Sequence, residues 1–136
     1  MKNQTNFELI TPSQTLINQE VDMVVVPGSE GHFGVLPLHA HTLSTLNKGV
    51  VKLYENGNSI NEIIIDGGIA DVNPSGCTLL VEKAESLNDI NKDEIEKRYS
   101  DFKSKENSFN SSIEEKANSE EIEWLKFVLE LSLIHI

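Results

Sequence analysis

Residues 24–46, VVVPGSEGHFGVLPLHAHTLSTL, constrain the fold more than any other stretch of the chain. A β-branched run reaches Val26 and stops at Pro27-Gly28. A glycine-punctuated detour follows, and an apolar segment resumes after Pro37. Valine suits a pleated, half-buried surface; proline cannot donate to a ladder, and glycine admits positive φ. The same stretch holds three of the four histidines and three of the eight glycines, so any chemistry of the chain is to be sought here first.

The flanking segments read as short strands divided by turn chemistry. Residues 7–11 end at Pro12, residues 14–20 contain Leu16 and Ile17, and residues 21–26 end at Pro27. Residues 49–54 run into Glu55-Asn56-Gly57-Asn58, and residues 59–66 return. An Asn-Gly pair between two apolar runs predicts a tight hairpin, because both residues take positive φ. Gly67-Gly68 breaks the return strand. Residues 69–72 and 77–81 then flank the turn Asn73-Pro74-Ser75-Gly76. Short strands at this spacing predict a β-sandwich or barrel over residues 1–86.

Residues 87–136 are different in character. The run 91–99 is charged, and Ile95, Tyr99 and Phe102 recur at helical spacing on one face. Residues 107–117 are rich in Asn and Ser and read as a loop. Ser119 reads as the N-cap of a second helix, with acids in its first turn and Ile122, Leu125, Phe127, Val128 and Leu129 on an apolar side. The fold class expected is therefore mainly β plus α, an N-terminal β-sandwich followed by a C-terminal two-helix hairpin. The last six residues, LSLIHI, break the charged-helix pattern and resemble the in-frame translation of a transposase sequencing adapter. His135 is given no role on that ground.

Composition excludes whole classes of partner. The net charge of −11 argues against nucleic acid, whose phosphates require Lys and Arg. It also disfavours direct adhesion to anionic lipid. No stretch is apolar enough to span a bilayer, and residues 1–10 show no signal-peptide core, so no direct membrane insertion is expected. The lone Cys77 cannot form an internal disulfide and reads as a buried small residue in a reducing compartment; a catalytic thiol is the minor alternative.

Three constellations suggest chemistry, and each is incomplete. His39 and His41 stand at i and i+2, on one face of a strand, as a metal-chelating pair would. No acid follows within residues 42–47, and the only other candidate ligand nearby is His32. Residues 28–34, GSEGHFG, lack the Gly-Lys-Ser/Thr ending of a phosphate loop, and no helix is expected after them. Gly67-Gly68 is no dinucleotide fingerprint, and no nucleophile elbow is present. The residues point to no catalytic site, no cofactor and no metal.

The chain resembles the epsilon subunit of the F-type ATP synthase, called delta in mitochondria. The resemblance rests on Val25-Val26-Pro27-Gly28-Ser29-Glu30-Gly31, Phe33-Gly34-Val35-Leu36-Pro37, His39-Ala40, Leu43-Ser44-Thr45-Leu46 and Gly49-Val50-Val51. It continues through Asp66-Gly67-Gly68-Ile69-Ala70-Asp71-Val72, Thr78-Leu79-Leu80-Val81 and Ala84-Glu85, and covers about residues 5–86. Beyond Leu87 only the architecture agrees.

The resemblance implies a non-catalytic rotor subunit without a cofactor, on the central stalk at the cytoplasmic face of the bacterial plasma membrane. Its sandwich would clasp the gamma subunit and stand on the c-ring, locking one to the other. Its helices would reach the catalytic alpha/beta head and inhibit ATP hydrolysis. The partner interface carried over by resemblance is Glu30, Gly31, His32, Phe33, His39, His41 and Thr42, with Phe33, Val35 and Leu36 as apolar candidates for core or interface.

The chain departs from the family at His32, where an acidic or polar residue is usual, at Leu38, usually Gly or Asn, and at His41, usually Pro. The ATP-binding motif of some relatives is also altered: its Asp is Asn91 here and its phosphate-facing Arg is Glu94, so no ATP binding is expected. Two alternatives stand beside this reading: a stand-alone β-sandwich ligand-binding module with a helical tail, and a metal-dependent enzyme using His39 and His41.

Overall fold

The computed structural model describes residues 4–37, 40–106 and 111–134. The chain divides into two compact units, Met1–Asn88 and Asp89–Ile136.

The first unit contains β1 (Thr5–Ile10), β2 (Thr15–Val21), β3 (Met23–Gly28), β4 (Gly31–Val35), β5 (Thr42–Leu46), β6 (Gly49–Glu55), β7 (Asn58–Ile65), β8 (Gly68–Asn73), β9 (Gly76–Leu80) and β10 (Ala84–Ser86). They form one ten-stranded sheet in the order β10-β7-β6-β3-β5-β8-β9-β1-β2, with β4 attached to β3. Every pairing is antiparallel except β1 with β9, which runs parallel. The expected sandwich is thus a single curled sheet whose inner face encloses the core.

Period-two alternation selects that core. Phe7 and Leu9 of β1 point inward, as do Val51 and Leu53 of β6, Ile63 and Ile65 of β7, Ala70 and Val72 of β8, and Cys77 and Leu79 of β9. Each large aliphatic or aromatic side chain buried there contributes roughly 1.5–3 kcal/mol relative to exposure. At the hairpin between β6 and β7, Asn56 and Gly57 adopt φ of 55° and 79°, the double positive φ that the Asn-Gly pair predicts. Asp22 secures this turn from outside by accepting the Asn56 amide at 2.7 Å. The Asn73 turn closes on its own side chain, whose Oδ1 accepts the amides of Ser75 and Gly76 at 2.9 and 3.0 Å.

The stretch read as a detour is a hairpin. β3 does not stop at Val26 but continues through Pro27 to Gly28, and β4 returns along it with Val24 opposite Val35 and Gly28 opposite Gly31. Proline is tolerated because β3 changes partners there: it pairs with β6 over residues 23–25 and with β5 only at Gly28. Pro27 sits in the gap between the two ladders, where its missing N–H breaks no pairing. Its carbonyl accepts the Asn47 amide at 2.7 Å. Gly67 ends the preceding run as expected, whereas Gly68 opens β8.

The second unit pairs α1 (Lys92–Ser104) with α2 (Ser112–Ile134). Asn91 caps α1, its Oδ1 accepting the Glu94 amide at 3.2 Å. Ile95 is buried, with Tyr99 and Phe102 half-buried along the predicted face. The second helix begins eight residues earlier than an N-cap at Ser119 predicts, at Ser112 rather than Glu120. Ser111 is the cap: its Oγ accepts the amides of Ile113 and Glu114 at 3.2 and 3.4 Å. Residues 112–117 are therefore helix rather than loop, and Ser119 lies inside it. Glu114 and Glu115 place negative charge at the true N-terminus, as Glu120 and Glu121 would have done at the predicted one. Of the loop expectation, residues 107–110 lie outside the described residues, as does His135. Among the described residues no helix is long and apolar enough to cross a membrane.

Candidate partner interface

The β3–β4 hairpin presents its tip beside β5. Gly28 makes the close approach possible: a β-carbon there would stand 2.8 Å from the Gly31 carbonyl oxygen and 2.9 Å from the Phe33 ring. The Phe33 ring therefore rests on Gly28, half-buried against the core. Ser29 ties the tip to β5 by donating its amide to the Thr45 carbonyl at 2.9 Å. Between tip and strand runs an open groove of about 590 Å³, lined by residues 28–33 and 42–45.

This groove unites Glu30, Gly31, His32, Phe33 and Thr42 of the interface expected from the sequence. Glu30 and His32 are exposed at the rim, and Thr42 turns its hydroxyl back to donate to the Ala40 carbonyl at 3.1 Å. His41 is not among the lining residues. Its Nε2 lies 3.2 Å from Asp71 Oδ1, so the imidazole leans across to β8. His39 and Leu38 lie outside the described residues. Of the apolar candidates, Val35 is core, whereas Leu36 is exposed.

Sequence reasoning passed over Leu43, whose side chain projects into solvent at 72% exposure. It starts an apolar strip on the outer face of the sheet. Leu43 and Thr45 share that face of β5; Thr45 pairs with Ile69 of β8, and Ile69 pairs with Leu80 of β9. Ile69 and Leu80 are both about half exposed, at 45% and 48%. They also border a second groove, of about 630 Å³, together with Ile10, Pro12, Asp66 and Glu82. The signal in the sequence was alternation itself: once Leu46, Ala70 and Leu79 face inward, Leu43, Ile69 and Leu80 must face outward. Three neighbouring strands that expose large aliphatics make this face a candidate interaction surface.

Of the pair in the metal alternative only His41 lies among the described residues. Among the described residues no three His, Cys, Asp or Glu side chains converge as metal ligands would. Cys77 is buried, and that burial, reinforced by the Asp71 charge, pushes its thiol up to about 12, so it is neutral and unreactive at physiological pH.

Residues 4–87 match the family described as ATP synthase, Delta/Epsilon chain, beta-sandwich domain. The chain is 40% identical over 98 residues to the ATP synthase epsilon chain of Granulibacter bethesdensis, covering 72% of this chain and 73% of that protein. It is 41% identical over 98 residues to that of Rhizobium rhizogenes, with the same coverage of 72% and 73%. Among solved structures, a chain of the Euglena gracilis mitochondrial ATP synthase shares the fold with a TM-score of 0.65, at 21% identity and over 98% of this chain and 83% of that one. A chain from the central stalk and c-ring of the Tetrahymena thermophila mitochondrial ATP synthase does so with a TM-score of 0.54, at 12% identity and over 96% and 98%.

Proposed function

The chain belongs to the ATP synthase Delta/Epsilon family, and on that premise we propose that it couples the c-ring to gamma as the epsilon subunit of an F-type ATP synthase. It is a non-catalytic subunit of the central stalk. The observation that carries the coupling role is the pair of adjoining surfaces on one rigid sheet. The polar hairpin tip with Glu30 and His32 suits the hydrophilic loops of the ring. The outer apolar strip of Leu43, Ile69 and Leu80 suits gamma, because a lasting interface buries aliphatic surface at its centre. A sheet gripping both partners transmits torque because its ladders cannot shear without breaking many hydrogen bonds together. Its place is then peripheral, at the cytoplasmic face of the membrane that holds the ring.

Co-purification tests this reading: tagged chain should retain gamma and the c-ring through detergent extraction, and recovery of the chain without either would refute it. The helical unit carries a separate proposal, inhibition of ATP hydrolysis at the alpha/beta head. Deleting residues 88–136 should raise the ATPase rate of the assembled enzyme; an unchanged rate removes the inhibitory role and leaves the coupling role standing.

A further inference from the structure

We propose that Asn118 is a register pin, which together with Arg98 and Glu121 gives the α1–α2 pair a single closed alignment. Asn118 is a polar residue buried on α2, with only 5% of its surface exposed. Its Nδ2 donates to the Phe102 carbonyl, in the last turn of α1, at 3.1 Å. That carbonyl also accepts the Lys105 amide at 3.2 Å, so both of its lone pairs are engaged. Carbonyls in the last turn of a helix lack the i+4 amide, and here the cap residue Lys105 and the neighbouring helix each supply a donor.

A second polar contact lies one turn away. Arg98 Nη2 reaches Glu121 Oε1 at 3.5 Å. Residues 98 and 102 are i and i+4 on α1, and residues 118 and 121 are i and i+3 on α2, so the two contacts form an antiparallel ladder along one seam. The sequence permits this ladder in one register only. A slip of three residues brings Glu115 or Glu121 opposite the Phe102 carbonyl, and a slip of four brings Glu114 or Ile122. The glutamates would set a carboxylate against the negative end of α1, and Ile122 would leave the carbonyl with the Lys105 amide alone and take the buried Asn118 amide off its acceptor. A buried amide that is satisfied in one alignment and in no other is how helix pairs fix register.

The consequence is a pair that opens or closes as a unit rather than sliding by a turn. The inference concerns the pair's own closed state and holds wherever that pair acts. The test uses the full chain with Asn118→Leu, and with Asn118→Ala as a variant that cannot overpack. In both, helix content by circular dichroism should remain, while the amide resonances of residues 102–106 split into more than one set. The Lys105 amide, which shares the Phe102 carbonyl with Asn118, should exchange about fivefold to tenfold faster, because loss of the Asn118 bond frees the last turn of α1 to fray. A single set of resonances with native exchange at Lys105 would overturn the proposal. So would loss of helix in both variants, because a pin sets alignment and not helix formation.

Discussion

Gly68 and Leu80 approach so closely that a β-carbon on residue 68 would stand 2.2 Å from the Leu80 carbonyl oxygen. Gly68 holds φ of +144° and pairs with Leu46 on its other side, so it is fixed between β5 and β9. Gly68→Ala should therefore cost about 3 kcal/mol or more, from the backbone clash and the positive φ together. A urea melt of the variant checks this, and a midpoint equal to that of the parent would show that β9 can yield.

Cys77 should make the protein lose stability in alkali. Its thiol is pushed up to about 12 by burial first and by Asp71 second. The unfolded chain releases this proton near its ordinary value, and the folded chain holds it. The stabilisation is thus complete below about pH 9 and disappears as pH rises toward 12, at about 1.4 kcal/mol per pH unit for this one group. The relevant quantity is the difference between parent and Cys77→Val, in which every contribution other than that of the thiol cancels. Parallel stability curves for the two proteins between pH 9 and 11 would contradict the assignment.

Thr5 is a polar atom misplaced in the core. Its Oγ1 is the one buried side-chain oxygen or nitrogen among the described residues that has no hydrogen-bond partner. Thr5→Val keeps the shape and removes the unsatisfied hydroxyl, so it should raise stability by about 1 kcal/mol. A lower melting temperature would mean that the hydroxyl is satisfied after all.

Leu43 separates binding from folding. At 72% exposure it supports little of the fold, and Leu43→Asp should change stability by less than about 0.5 kcal/mol. The same change should weaken retention of gamma by about tenfold or more, as expected for an aliphatic at the centre of an interface. Undiminished co-purification would move the gamma contact away from the outer strip.

ATP should give no heat of binding in a calorimetric titration. Asn91 stands where the ATP-binding motif has Asp, and its Oδ1 is occupied by the Glu94 amide. Glu94 itself would oppose a phosphate with a carboxylate. Clear saturable uptake would refute this.

Much of the architecture was legible because it follows from rules that span a few residues. Asn56-Gly57 dictates a hairpin turn through its own φ preferences, and Asn91 caps α1 from three residues away. The alternation of β6 to β9 fixes which side chains face inward. The family motifs between residues 25 and 85 carried the function, and they included Leu43 before its exposure was known. The start of α2 was not legible, since Ser111 and Ser119 each precede acids and both satisfy the local capping rule. Helix pairing decides between them: Asn118 must already be helical to reach the Phe102 carbonyl.

By itself, then, the sequence determined most of the short strands, the Asn56-Gly57 and Asn73 turns, the succession of strands by two helices and the family; it did not show β4, inside the stretch read as a detour, or β10. Tertiary structure decided what joins distant parts of the chain. It set β1 parallel to β9, with Phe7 opposite Cys77; it placed β5 against β8, which turned His41 toward Asp71; and it gathered Leu43, Ile69 and Leu80 into one strip. The physical reason is the reach of the forces. Turn and cap preferences act through neighbouring dihedrals and can be read along the chain. Pairings across 30 or 70 residues repay their loop-closure entropy only through the core they bury together.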